Sequence, residues 1–195
     1  MIAYVFWHWK KREIATEDYE KRQGDFHAAL AASPPAGFLR SFCAGVARLP
    51  WTGTTAAYGV LAERVLPYED WYLVEDFAAL GFLNEGAVSG SRSKPHDAAA
   101  AAAEDGAGAL YALRLGDAET QRKYALWFSK PGGMSYAECY AELEPVITGS
   151  GGVLWVRLMA LGPARELCAL TEEPLTLPAA FEAIQTPLRR VWPLP

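Results

Sequence analysis

The stretch Tyr4-Val-Phe-Trp-His-Trp-Lys10 has a counterpart in Tyr124-Ala-Leu-Trp-Phe-Ser-Lys130, which aligns on it without a gap and keeps the Tyr, the Trp and the Lys. Each run is rich in aromatic and β-branched residues and ends in a polar loop, the pattern of a strand. A helix is expected after each. In the first half Thr16 stands as N-cap, Glu17 and Asp18 suit the positive end of the helix dipole, and Pro34-Pro35 ends the segment. In the second half Ser135 and Glu138 have capping-box spacing ahead of Tyr140 and Leu143.

Second strands follow at Gly37–Cys43 and Gly152–Met159, and these also lie over each other, glycine on glycine. A turn at Gly162-Pro163 leads into a hairpin partner at 165–170, and the first half makes its return to Asp70–Glu75 through an unassigned insertion at 52–67. Asp76 caps a helix beginning at Phe77. An alanine-rich helix is expected from Pro95 to Asp105, with Gly106 at its C-terminus, and then a strand over Leu110–Leu115. A last helix is expected over 178–185, with at most a short strand at Val191-Trp192. The order is β-α-β-β-α-(α)-β followed by β-α-β-β-α, two copies of the ferredoxin-like split unit. The fold class is therefore α+β, with halves at 1–117 and 122–195. Each antiparallel sheet has one face bare of helices, and burying those faces together gives a barrel-like body with helices outside.

Composition bounds the function. Of 195 residues 51% are hydrophobic and 21% charged, an ordinary globular mixture, so disorder and coiled coil are excluded for the chain as a whole. A net charge of −5 and a pI near 5.3 argue against nucleic-acid or anionic-membrane partners. The N-terminal lysines follow the apolar run, the reverse of a signal peptide, and no apolar stretch is long enough to span a bilayer. Cys43, Cys139 and Cys168 are odd in number and far apart, which fits buried thiols in a reducing cytoplasm.

Two ferredoxin-like halves in one chain resemble the dimeric α+β barrel superfamily, which includes antibiotic-biosynthesis monooxygenases, EthD-like proteins and haem-binding chlorite-dismutase-like proteins. The first helix, Thr16-Glu-Asp-Tyr-Glu-Lys-Arg-Gln-Gly-Asp-Phe-His27, carries the closest likeness. EthD-like proteins often place an aromatic residue early in this helix and a His eight positions later, and Tyr19 and His27 keep that spacing. The second half has no His. The resemblance implies cofactor-free proton transfer or oxygenation of an aromatic or polyketide-like compound; because one chain supplies both halves, a monomer or weak homodimer is expected.

His8 and His27 are the candidate catalytic residues. Strand alternation puts Tyr4, Phe6 and His8 on one face, and helical spacing groups residues 19, 23, 26, 27 and 30 toward the sheet. Either His serves as a general base near neutrality, or it is a hydrogen-bonded core residue. His96, in the first turn of its helix, reads as solvated. Arg40, on an apolar strand, requires a carboxylate such as Glu69, Asp70 or Glu75, or an anionic ligand. Tyr4, Phe6, Arg40 and Trp71 are the expected ligand-binding residues around the two histidines. No H-x-x-x-H, H-E-x-x-H or C-x-x-C is present, so neither a metal site nor a cofactor is expected. Three functions remain open: a binder or cofactor-free enzyme for a small apolar compound, a structural or partner-binding protein with a filled core, and a haem protein with one axial His.

Overall fold

Aromatic and β-branched residues make β1 (Ile2–Lys10) an interior strand of a sheet in the computed structural model, which describes residues 1–52, 66–158 and 164–193. In chain order β1 is followed by α1 (Thr16–Ala32), β2 (Phe38–Gly45), β3 (Tyr68–Val74), α2 (Phe77–Ala87), α3 (Ser93–Ala102) and β4 (Ala103–Leu115). Then come β5 (Tyr124–Phe128), α4 (Tyr136–Gly149), β6 (Val153–Leu158), β7 (Leu167–Thr171), β8 (Ile184–Pro187) and β9 (Arg189–Trp192). The class is α+β. The chain divides into two compact units, Met1–Leu110 with Arg189–Pro195, and Tyr111–Leu188, and it passes from one to the other within β4.

In the first unit the strands run β4-β1-β3-β2-β9. β1 pairs antiparallel with β3, and β2 pairs antiparallel with β3 and β9. In the second unit the order is β8-β5-β7-β6-β4, with β5 antiparallel to β7 and β8, and β6 antiparallel to β7. Each order contains the 4-1-3-2 pattern of a ferredoxin-like sheet. The aligned lysines act alike: Lys10 Nζ donates to the Ile14 carbonyl and Lys130 Nζ to the Met134 carbonyl, both at 2.6 Å.

Several local expectations change. Ala15, not Thr16, occupies the N-cap of α1 and offers no side-chain cap, so the first-turn acids Glu17 and Asp18 are left to favour the helix start. The Ser135–Glu138 capping box and the Asp76 cap form as expected. α3 stops at Ala102 because the next residues join β4. There Gly106 and Gly108 make room for the rings of β1. A Cβ at Gly106 would meet the Phe6 ring and lie 2.8 Å from the Trp7 carbonyl oxygen, and one at Gly108 would lie 2.6 Å from the Tyr4 ring. Gly106 is thus a strand residue under an aromatic side chain, not a helix terminus.

The helix expected at 178–185 is a single 3-10 turn, Ala179–Phe181. It ends at Glu182 in the left-handed region, with φ 47°, and Phe181 plugs the core edge-on to Phe128 at 5.9 Å. The freed residues form β8, which supplies the second unit's fourth strand. Val191-Trp192 is a strand, but it pairs with β2 and belongs to the first unit. Residues 53–65 of the expected insertion and the Gly162-Pro163 turn lie outside the described residues. No helix among the described residues is long and apolar enough to cross a membrane.

Arg189 at the start of β9 clasps Glu20 of α1 at 2.5 Å, and the Tyr68 hydroxyl donates to the same carboxylate at 2.8 Å. Burial pushes the Glu20 pKa up, but these partners outweigh it and the net direction is down. A carboxyl with a depressed folded pKa gives stability that is complete above its unfolded pKa and fades as the pH falls through the folded value. Arg189→Met should therefore lower the unfolding free energy at neutral pH by up to about 1 kcal/mol and leave the acid end of the profile unchanged in urea titrations. Gly106→Val should cost about 1–3 kcal/mol by overpacking against Phe6 and the Trp7 backbone, read as a lower denaturation midpoint at unchanged m-value.

Candidate functional site

Alternation along three adjacent strands of the first unit sends Tyr4, Phe6 and His8 of β1, Tyr68, Asp70 and Tyr72 of β3, and Ser41 and Cys43 of β2 to the face covered by α1. Cys43 is the backbone partner of Asp70, which is in turn the partner of Phe6. From above, α1 buries Tyr19, Gln23, Phe26, His27 and Leu30, the stripe its spacing predicts.

Asp70 is the centre. It is 1% exposed, and Nε2 of His8 and Nε2 of His27 each lie 3.2 Å from one of its two oxygens. The Tyr72 hydroxyl donates to Oδ2 at 2.8 Å. The far nitrogen of each imidazole is also held. Nδ1 of His8 shares a short hydrogen bond with the Tyr19 hydroxyl, and Nδ1 of His27 shares one with Ser41 Oγ at 2.7 Å. Both rings are thereby turned so that Nε2 meets the carboxylate. Neither Nε2 nor Asp70 Oδ1 has a well-directed hydrogen-bond partner, so the two approaches are close contacts and not aligned hydrogen bonds.

Burial alone would push the Asp70 carboxyl up, but His8 and His27 together outweigh it and hold the group well below the ordinary carboxylate range. Asp70 is therefore an anion in a site sealed from water. Burial first, and then that anion, push the Tyr19 and Tyr72 phenols and the Cys43 thiol up, so all three keep their protons. Around the carboxylate runs a wall of near-parallel rings. Centroid separations are 5.7 Å for Tyr68–His8, 5.3 Å for His8–Phe6, 6.1 Å for Phe6–Tyr4, 6.0 Å for Tyr4–Tyr72 and 5.1 Å for Tyr72–His27. Tyr4 and Phe6 are only half-buried, so this wall reaches toward solvent.

His8, His27, Tyr4 and Phe6 thus come together. Trp71 and Arg40 do not join them, because the pleat turns both to the opposite face of the sheet. Trp71 stacks on Phe42 at 5.7 Å and donates its indole N–H to Glu69 at 2.5 Å. Asp70, expected among the partners of Arg40, faces the histidines instead. His96 sits edge-on to Phe26 at 5.3 Å with its Nδ1 3.1 Å from Asp97.

The second unit offers an internal comparison. Register and helix position match His8 with Phe128, Asp70 with Ala169, Cys43 with Leu154, Tyr19 with Cys139 and His27 with Ile147. All of these counterparts are buried in one hydrophobic cluster. The same arrangement of strands and helix therefore closes over an apolar core, and the polar cluster is not a requirement of the architecture.

No protein-family model matches the chain, and no curated protein matches it. Solved structures do. One is described as a "Putative monooxygenase" from Fusobacterium nucleatum: TM-score 0.65, 10% identity, covering 97% of this chain and 92% of that one. Another, described in the same words, is from Lactobacillus acidophilus: TM-score 0.54, 9% identity, covering 97% and 94%. The chain shares their fold, in keeping with the ferredoxin-like halves and the dimeric α+β barrel resemblance read from the sequence.

Removing the central charge should unbalance its partners. Asp70→Asn is expected to cost about 3–5 kcal/mol, the usual loss when one member of a buried charge cluster is neutralised. Equilibrium denaturation of both proteins checks it.

Proposed function

We propose that the first unit binds a small, flat, weakly acidic aromatic compound against the Tyr4–Phe6 wall and that His27 takes a proton from it. The observation that carries this reading is the contrast between the units: one fills these positions with Phe, Leu, Ala and Ile, the other with a carboxylate and two imidazoles. Burying such groups costs free energy that an apolar core avoids, and perturbed titratable groups gather where chemistry is done.

His27 is suited to the base role. Ser41 holds Nδ1 and Asp70 lies beside Nε2, so the Asp70 anion stabilises the imidazolium that forms. The half-buried rings of Tyr4 and Phe6 give the compound a stacking surface, and Asp70 disfavours any anionic substituent placed beside it. The monooxygenase description of the structural neighbours supports dioxygen as the oxidant once the proton has left. A ring CH2 then becomes C=O, both atoms of O2 being accounted for by the carbonyl and one released water.

Titration of the protein with naphthols and related hydroxyaromatics should raise its melting temperature, and oxygen uptake should follow with compounds carrying an activated CH2. His27→Gln should lower turnover about 100-fold or more with little change in KM, at a stability cost of about 1–2 kcal/mol. Absence of any melting shift across the panel would remove the proposal.

A further inference from the structure

Three side chains of the site come from three neighbouring strands and converge without help from α1. His8 of β1, Asp70 of β3 and Cys43 of β2 each offer one atom, and these nitrogen, oxygen and sulfur atoms all lie within 4.8 Å of one another. All three residues are buried, at 1%, 1% and 0% exposure. The His8 imidazole and the Asp70 carboxylate face each other inside this group, with His8 Nε2 3.2 Å from Asp70 Oδ2, and Asp70 Oδ1 lies 3.2 Å from His27 Nε2.

We infer that His8, Cys43 and Asp70 form a binding site for one divalent metal ion of the zinc class, with an open coordination position beside His27. The donor set selects the ion. A thiolate, an imidazole and a carboxylate together suit a borderline cation, not the all-oxygen preference of Ca2+ or Mg2+. Charge selects it too. One carboxylate and one thiolate balance a dication, so the loaded site is neutral, as a fully buried site requires. Loading balances as Cys43–SH plus M2+ giving Cys43–S–M+ and one released proton. Tyr19 on Nδ1 of His8 is the outer partner that a metal-bound imidazole ordinarily has, and Tyr72 plays the same part on Asp70. Three protein ligands leave a fourth position for water or for a substrate hydroxyl. His27 stays outside the ligand set and keeps its place against Asp70. Residues 8, 43 and 70 are far apart in the chain, so no spacing motif reveals them.

The site shares Asp70 with the small-molecule reading, but its test needs no substrate, so the two can fail separately. The full chain, stripped with a chelator and titrated with Co2+, should bind one equivalent and develop visible ligand-field bands with a near-ultraviolet thiolate-to-cobalt charge-transfer band. Cys43→Ser, a small change in a packed strand, should abolish the charge-transfer band and weaken binding at least 10-fold. His8→Gln, with folding verified by circular dichroism, should weaken it similarly. A folded wild-type chain that gives no cobalt spectrum overturns the inference. So does a charge-transfer band that survives in Cys43→Ser, which would place the ion at another thiol.

Discussion

A carboxylate removed from water must be surrounded by compensating charge and donors or give up its ionisation. Asp70 meets that condition through two imidazoles and a phenol, and much of the first unit is arranged around doing so. The register of β1, β3 and β2 brings the sheet-borne members to one face. α1 must then present His27 and Tyr19, two helical turns apart, at the heights where one reaches the carboxylate and the other reaches His8. Ser41 and Tyr19 act at one remove by fixing the imidazoles through Nδ1. A shift of one residue in any of the three strands would turn its contribution to the opposite face, among Trp7, Glu69 and Trp71.

The two faces of this sheet divide polar chemistry between them in different ways. Under α1 an anion is met by imidazoles and stacked rings. On the other face Glu69 accepts N–H groups from Trp7 and Trp71, and Arg190 lies 4.3 Å from the centre of the Phe42 ring. Burial pushes the Arg190 guanidinium down to about 10.

Much of the fold was legible because it rests on local signals. The Tyr4 and Tyr124 runs mark β1 and β5, Asp76 and Ser135 mark two helix starts, and the spacing of Tyr19, Gln23, Phe26, His27 and Leu30 marks the buried side of α1. The misreadings share one cause, a local preference overruled by pairing. Ala103 to Asp105 continue a helical composition but join β4, and Ile184 and Gln185 end an expected helix but join Thr186 and Pro187 in β8 to complete the second sheet. The site was half legible. His8 and His27 stand out as rare residues on apolar faces, but Asp70 is ordinary until strand register puts it between them. The sequence names it only as one of three carboxylates for Arg40, and sequence proximity in a sheet says nothing about which face a partner occupies. Cys43 and Ser41 carried no signal beyond strand alternation.

Strand β9 gives the first unit a peculiar order of manufacture. A ribosome emits β1 to β4 with all the histidines and Asp70 long before it reaches Arg189 and Val191. Until then β2 has a naked outer edge, with amide and carbonyl groups open to any extended chain, and Glu20 has no guanidinium. The second unit, by contrast, is continuous in the chain and can mature as soon as β8 emerges. The half that holds the Asp70 cluster is thus finished last, and a nascent chain stalled before residue 189 would present that cluster in a sheet with one side still unzipped.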